Sequence, residues 1–117
     1  MNAPYSEMNQ YQKDTARTLN PNMTEKELLT MLGWGIHDES GEVIDHLKKR
    51  LFHHHPKESM RDAVCKEIGD LMWYVVRTAA YFGIDMSEIP PANIEKLRKR
   101  YPEGFSPERS IHREGES

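Results

Sequence analysis

Four acidic side chains form two pairs with identical spacing. Glu39 and Glu42 are three positions apart in the first half of the chain, and Glu67 and Asp70 are three positions apart in the second. Residues at this spacing are neighbours on one face of an α-helix. Carboxylate oxygens are the preferred ligands of hard divalent cations, so a metal bound by these residues is expected to be Mg²⁺, with Mn²⁺ as a substitute, rather than zinc.

Two long helices are needed to carry these pairs. Thr24 and Glu27 have the form of a capping box, which predicts a helix that runs from there to about Phe52. A second long helix is predicted to begin at Ser59 or Lys57 and to run to Phe82. In both, apolar residues recur at helical spacing, and each acidic pair lies to one side of that apolar stripe. The stripes consist of Leu29, Ile36, Val43, Leu47 and Leu51, and of Val64, Ile68, Leu71, Val75, Ala79 and Phe82.

The remaining elements are also helical. A first helix is predicted from Tyr5 to Leu19, and a last one from Pro91 to Arg100, after the break that two consecutive prolines make. Strand patterns are almost absent. The expected fold is therefore all-α, a four- to five-helix bundle with a central antiparallel pair, completed by oligomerisation. Residues 1–117 are expected to form one domain, with a core at about 5–101 and an extended tail at 102–117.

Antiparallel packing of the two long helices would bring the four carboxylates together. Uncompensated charges of one sign repel and resist burial, and a divalent cation relieves both effects. Gly41 and Gly69 lie inside the acidic pairs, where glycine permits close approach by a neighbouring helix or a ligand. Acidic pairs at this spacing are also common on solvated helix faces. Spacing alone therefore leaves a metal site and plain surface charge both open.

Composition excludes several other classes. The net charge of −3 argues against a nucleic-acid partner, since phosphate backbones attract basic surfaces. No apolar run approaches the roughly 20 residues of a membrane span, so no membrane association is expected. Cys65 is the single cysteine, which excludes an internal disulfide and a cysteine-rich zinc site. These features predict a cytoplasmic location.

Three segments together resemble the MazG-like branch of the all-α nucleoside triphosphate pyrophosphohydrolases. They are residues 39–49, 67–74 and 93–102, and the resemblance extends over about 5–113. It implies Mg²⁺-dependent hydrolysis of a nucleoside or deoxynucleoside triphosphate to the monophosphate and pyrophosphate. The acidic residues would hold the metal, and Glu39 would act on the attacking water. The metal ligands implied are Glu39, Glu42, Glu67 and Asp70.

The same resemblance implies residues that bind substrate and a quaternary structure. Lys96 and Arg100 would clamp the terminal phosphates, and Asn93 shares a helix face with Arg100. Tyr74 would lie against the base. Similar proteins place the site near a subunit interface, which implies a homodimer or a dimer of dimers.

Other functions remain open from the sequence. Within the superfamily, the alternatives are a phosphoribosyl-ATP pyrophosphohydrolase or a dUTP/dCTP-type enzyme. A non-catalytic helical protein that dimerises or regulates is an alternative from another class. A di-iron bundle would require Glu-x-x-His pairs, which neither acidic pair provides. Base and sugar preference, the number of metal ions and the general base are not determined by the sequence.

Overall fold

The computed structural model describes residues 4–112, and this part of the chain is helical without strands. The all-α prediction is confirmed. The elements in chain order are α1 (Ser6–Ala16), α2 (Glu25–His53), α3 (Lys57–Tyr81), a 3₁₀ turn (Met86–Glu88), α4 (Ile89–Arg100) and α5 (Pro107–Ile111). None of the helices described is both long enough and apolar enough to cross a bilayer.

Helix α2 begins at the predicted capping box. The Glu27 N–H donates to the Thr24 hydroxyl at 3.1 Å, and the Thr24 N–H donates to the Glu27 carboxylate at 3.1 Å. These bonds satisfy donors that have no partner within the helix, and the hydrogen bonds from Thr24, the backbone one first, lower the pKa of Glu27. A second capping box, between Asp85 and Glu88, opens the 3₁₀ turn.

The last two helices differ from the prediction. Helix α4 begins at Ile89 rather than at the predicted Pro91, because prolines are tolerated in the first turn, whose N–H groups a helix does not use. In the tail, Pro107–Ile111 form α5 instead of an extended segment. The Arg109 guanidinium donates to the carbonyls of Lys99 and Arg100 at 3.0 Å each and so caps the end of α4. The rest of the predicted tail, 113–117, lies outside the described residues.

Helices α2 and α3 form the central antiparallel pair. Residues 54–56 connect them, and His54 adopts a left-handed conformation with φ of 54° at the turn. Near this turn, Val43 and Val64 line one groove. At the far end, the Tyr81 hydroxyl donates to the Glu25 carboxylate at 2.6 Å. The start of α2 therefore lies beside the end of α3, as in a helical hairpin.

The core lies where α1, the end of α3 and the 3₁₀ turn meet. Val76, Ala79 and Met86 are buried there. Gln12 in α1 joins the three elements: its side-chain amide donates to the carbonyls of Val76 at 3.3 Å and Ile84 at 3.0 Å, and its oxygen accepts the Met86 N–H at 3.0 Å. A buried amide keeps all three hydrogen bonds only in one arrangement of the elements around it. Gln12 therefore fixes the position of α1 on α3.

The predicted apolar stripes are not buried in one chain. Only Ala79 among them is buried; Leu51 is 66% exposed and Phe82 is also 66% exposed. The chain has a radius of gyration of 17.5 Å, whereas a compact domain of this length has about 13 Å. The single chain thus leaves a large apolar surface uncovered and is more extended than an ordinary globule.

Candidate active site

The hairpin brings together three of the four predicted metal ligands. Glu39 projects from α2, and Glu67 and Asp70 project from α3. One carboxylate oxygen of each lies within 4.8 Å of the others. We call these three residues the acidic group. Because the helices are antiparallel, a residue in the middle of α2 meets the middle of α3, which a spacing pattern alone does not determine.

Electrostatic repulsion and desolvation change the acidity of Glu39. Partial burial is the largest cause that raises its pKa, followed by the charges of Asp70, Glu67 and Glu42. A hydrogen bond from the protonated Glu39 carboxyl to Glu67 acts in the same direction. Glu39 therefore holds a proton more readily in the metal-free protein than an isolated glutamate does.

Glu42 lies at the margin of the cluster. Its side chain is exposed, and it is not one of the three residues whose carboxylate oxygens lie within 4.8 Å of one another. Its charge nevertheless helps to raise the pKa of Glu39. Gly41 and Gly69 were expected to permit close approach by a helix or a ligand. In the described part of the chain no atom lies within 4 Å of a Cβ built at either position, so no helix of the same chain makes that approach.

Tyr74 lies one turn beyond Asp70 and is packed against Gly35 of α2. A Cβ at Gly35 would overlap the Tyr74 ring, so only glycine fits there without movement of the ring. The Trp73 ring meets Tyr74 edge to face, with centroids 5.0 Å apart and an interplanar angle of 78°. The rotation of Tyr74 is thus limited on two sides.

A pocket between α1 and α3 borders the acidic group. We call it the α1–α3 pocket; it is lined by Tyr11, Asp14, Thr15, Thr18, Gly69, Asp70, Trp73 and Tyr74. The Trp73 indole N–H donates to the Thr18 hydroxyl at 2.8 Å and closes one end. Asp70 belongs both to this pocket and to the acidic group, so a molecule in the pocket would lie beside the carboxylates.

A second depression lies on the other side of Tyr74. Its lining includes Trp34, Gly35 and Asp38 from α2, with Lys26 and Met31 nearer the start of that helix. Trp34 is 73% exposed. Tyr74 is therefore a wall shared by two concave surfaces, and Gly35 is the residue that lets the ring stand between them.

The predicted phosphate-binding residues lie on α4. Asn93 and Lys96 are exposed, and neither side chain makes a hydrogen bond or ion pair with another residue in the described range 4–112. Arg100 is partly buried at the end of α4, where Arg109 binds its carbonyl. Within the described part of one chain, Asn93 and Lys96 are thus not bonded to the acidic group.

The sequence did not single out several residues of the pocket. Trp73 packs on Tyr74 and binds Thr18. Tyr11 comes from α1 and Thr18 from the turn that follows it, and no local pattern specifies their position relative to α3. The buried Gln12, with its bonds to two other elements, is the feature that places α1.

The fold and the acidic group define a class: an all-helical protein with a carboxylate cluster between two antiparallel helices. The sequence model of the MazG nucleotide pyrophosphohydrolase domain matches residues 27–105, which is more than half of the chain. The chain therefore belongs to the MazG family of nucleotide pyrophosphohydrolases. The matched region contains all three residues of the acidic group and also α4.

One phage protein provides a consistent comparison. The Gene 37 protein of Mycobacterium phage L5 is 31% identical over 83 residues, which cover 67% of this chain and 70% of the phage protein. No solved structure matched the chain.

Proposed function

We propose that this protein hydrolyses nucleoside or deoxynucleoside triphosphates to the monophosphate and pyrophosphate in a Mg²⁺-dependent reaction. One observation carries the proposal: the carboxylates of Glu39, Glu67 and Asp70 converge within 4.8 Å at the edge of a pocket with aromatic walls. Family membership supplies the reaction class, and the aromatic pocket beside the acids suits a nucleoside attached to phosphates.

The donor set of the acidic group fits a hard divalent cation. All three side chains offer oxygen. After desolvation, the charges of the neighbouring acids contribute to the raised pKa of Glu39, and a cation would relieve this repulsion. Glu39, Glu67 and Asp70 would hold Mg²⁺ or Mn²⁺, with exposed Glu42 as a fourth carboxylate. A cation bound there would neutralise phosphate charge and lower the pKa of bound water.

The protein's own groups then have separate tasks. Glu39, whose pKa is raised by partial burial and then by the neighbouring acids, would accept a proton from the attacking water at a carboxylate oxygen. Tyr74 and Trp73 would provide flat surfaces for the base. Enclosure between α1 and α3 would hold the nucleoside so that its phosphates lie over the acidic group.

Basic residues of α4 would bind the outer phosphates. Lys96 and Arg100 offer a point charge and a planar guanidinium, and Asn93 lies about one helical turn before Lys96 and two before Arg100. Lys96 is exposed and makes no ion pair with a described residue, so its charge is free to meet a phosphate. The end of α4 would thereby contribute to affinity for triphosphates over monophosphates.

We further propose that the active form is a homodimer or a dimer of dimers. Leu47, Leu51 and Phe52 near the turn of the hairpin are each more than 60% exposed. The radius of gyration of 17.5 Å also exceeds that of a closed domain. A second copy packed on this surface would remove it from water and complete the bundle.

The test is release of pyrophosphate from eight NTPs and dNTPs, with Mg²⁺ or with a chelator, by the protein and its Glu39→Gln variant. Release of pyrophosphate together with monophosphate, only with metal and only by the unchanged protein, is expected. Release of orthophosphate, or equal rates with Gln at position 39, would contradict the proposal. Phosphoribosyl-ATP, dUTP and dCTP as additional substrates separate the alternative members of the superfamily.

A further inference from the structure

Arg77 is a buried cation that the proposed reaction does not use. Its side chain lies in α3 and is 9% exposed. One guanidinium N–H donates to the Gln12 carbonyl at 2.8 Å, while Nε has no hydrogen-bond partner and the side chain has no ion pair within residues 4–112. Burial of a charge without an acidic partner lowers the stability of the folded state. An arginine buried in this way is therefore expected to have a specific role.

The bond made by Arg77 reaches the wall of the α1–α3 pocket. The Gln12 carbonyl that accepts from Arg77 also accepts the Thr15 hydroxyl at 2.7 Å, and Thr15 lines the pocket. Arg77 follows Asp70 by seven residues, or two helical turns, so the two lie on the same face of α3.

Two side chains of α3 thus hold α1 and the turn after it across the pocket. Trp73 binds Thr18 in the turn just after α1, and Arg77 binds Gln12 within α1, six residues earlier. Both side chains run from α3 to this segment, and the pocket lies along the same stretch. The length of these side chains therefore sets the separation of its two walls.

We infer that Arg77 is a positioning residue that fixes the width of the α1–α3 pocket and thereby sets the discrimination between purine and pyrimidine triphosphates. This inference rests on the proposed function, because it takes the pocket as the site of the base. Arginine suits the task since its long planar guanidinium reaches the carbonyl in one orientation, whereas lysine offers a compact ammonium on a flexible stem.

The experiment compares Arg77→Lys and Arg77→Met with the unchanged enzyme. KM and kcat are measured with Mg²⁺ for ATP, dATP, CTP and dCTP, and the melting temperature establishes that each variant is folded. We expect the purine-to-pyrimidine ratio of kcat/KM to move towards one by at least fivefold, through KM, with kcat within twofold. Arg61→Lys is the matched control, because Arg61 is an exposed arginine of α3 outside the pocket, and its ratio should not change.

Other outcomes separate this inference from the proposed function. Three outcomes would overturn the role of Arg77 and leave the proposed hydrolysis intact. They are an unaltered purine-to-pyrimidine ratio in folded variants, an equal loss of kcat for every base, and a wild-type enzyme that does not discriminate between bases. If the unchanged protein hydrolyses no triphosphate, the proposed function fails. Binding of α,β-methylene ATP and CTP by calorimetry then decides the inference: a fivefold change in relative affinity in Arg77→Lys supports it, and its absence overturns it.

Discussion

The Tyr74 ring of α3 occupies the space that a side chain at Gly35 of α2 would need. This contact lies four residues before Glu39 on one helix and four residues after Asp70 on the other, so it neighbours the acidic group on both. A tight contact between the two helices and the aromatic wall of the pocket are thus one feature. A change at Gly35 should affect packing and nucleotide binding together.

We expect Gly35→Ala to displace Tyr74, destabilise the protein by about 1–3 kcal/mol through overpacking, and raise KM. Gly33→Ala is the matched control, because it lies in the same helix with nothing within 4 Å of the added Cβ. It should stabilise the helix by about 1 kcal/mol through propensity alone. Urea unfolding measures the free energy of unfolding of both variants. Equal changes in the two would mean that the Tyr74 contact does not determine the stability at Gly35.

Addition of Mg²⁺ should raise the melting temperature of the protein. A ligand that binds only the folded state stabilises it by about 2.7 kcal/mol at one hundred times its dissociation constant. Glu67→Gln should abolish the shift because it removes one of three converging carboxylates. Glu103→Gln, in the exposed turn after α4, should retain it. Differential scanning fluorimetry with and without chelator checks this, and a shift that persists in Glu67→Gln would argue against the acidic group.

In chelator, Glu39→Gln should be more stable than the unchanged protein at neutral pH. The folded structure raises the pKa of Glu39 above its ordinary 4.5, chiefly through desolvation and then through the neighbouring acids. Above the pKa that Glu39 has in the folded protein, the native state therefore bears an unfavourable charge. Below pH 4.5 the Glu39 carboxyl is protonated in the folded and unfolded states alike, so this loss of stability disappears. The advantage of the variant should shrink to zero as the pH falls through this window. Chemical unfolding at several pH values provides the measurement, and a pH-independent difference would conflict with this account.

Tryptophan fluorescence should identify the pocket that holds the base. The Trp34→Phe variant retains Trp73 in the α1–α3 pocket, and Trp73→Phe retains Trp34 in the second depression. Stacking of a base near Trp73 should quench emission only in the first variant. Titration of both variants with a non-hydrolysable triphosphate distinguishes the two binding places. Quenching confined to Trp34 would place the base in the second depression, on the other side of Tyr74.

Leu51→Glu should weaken self-association. Leu51 is 66% exposed in the single chain and belongs to the uncovered apolar surface, so a charge there would oppose its burial against a second copy. Sedimentation should give at least twice the 13.7 kDa mass of one chain for the unchanged protein and a lower average mass for the variant. Lys48→Glu, an exposed charge reversal on the same turn of α2, controls for charge alone. Sedimentation of the wild-type protein as a single chain would refute the proposed oligomer.

The sequence by itself determined the local features of the protein. The Thr24 and Glu27 capping box, the two long helices and the connection between them depend on neighbouring residues, and these were predicted close to where they lie. The convergence of Glu39 with Glu67 and Asp70 follows from the same helices once they are antiparallel. Proline was the local signal that misled, because its position within the first turn of α4 decides whether it ends or begins a helix.

Tertiary structure alone decided which surfaces meet. The position of α1 depends on the bonds of Gln12 and Arg77 to residues more than 60 positions away, so no local pattern reveals the α1–α3 pocket. The stripes predicted as core remain largely exposed because the single chain buries Val76 and Met86 at its other end. Periodicity shows which face of a helix is apolar, but what covers that face is settled by packing between segments distant in the sequence.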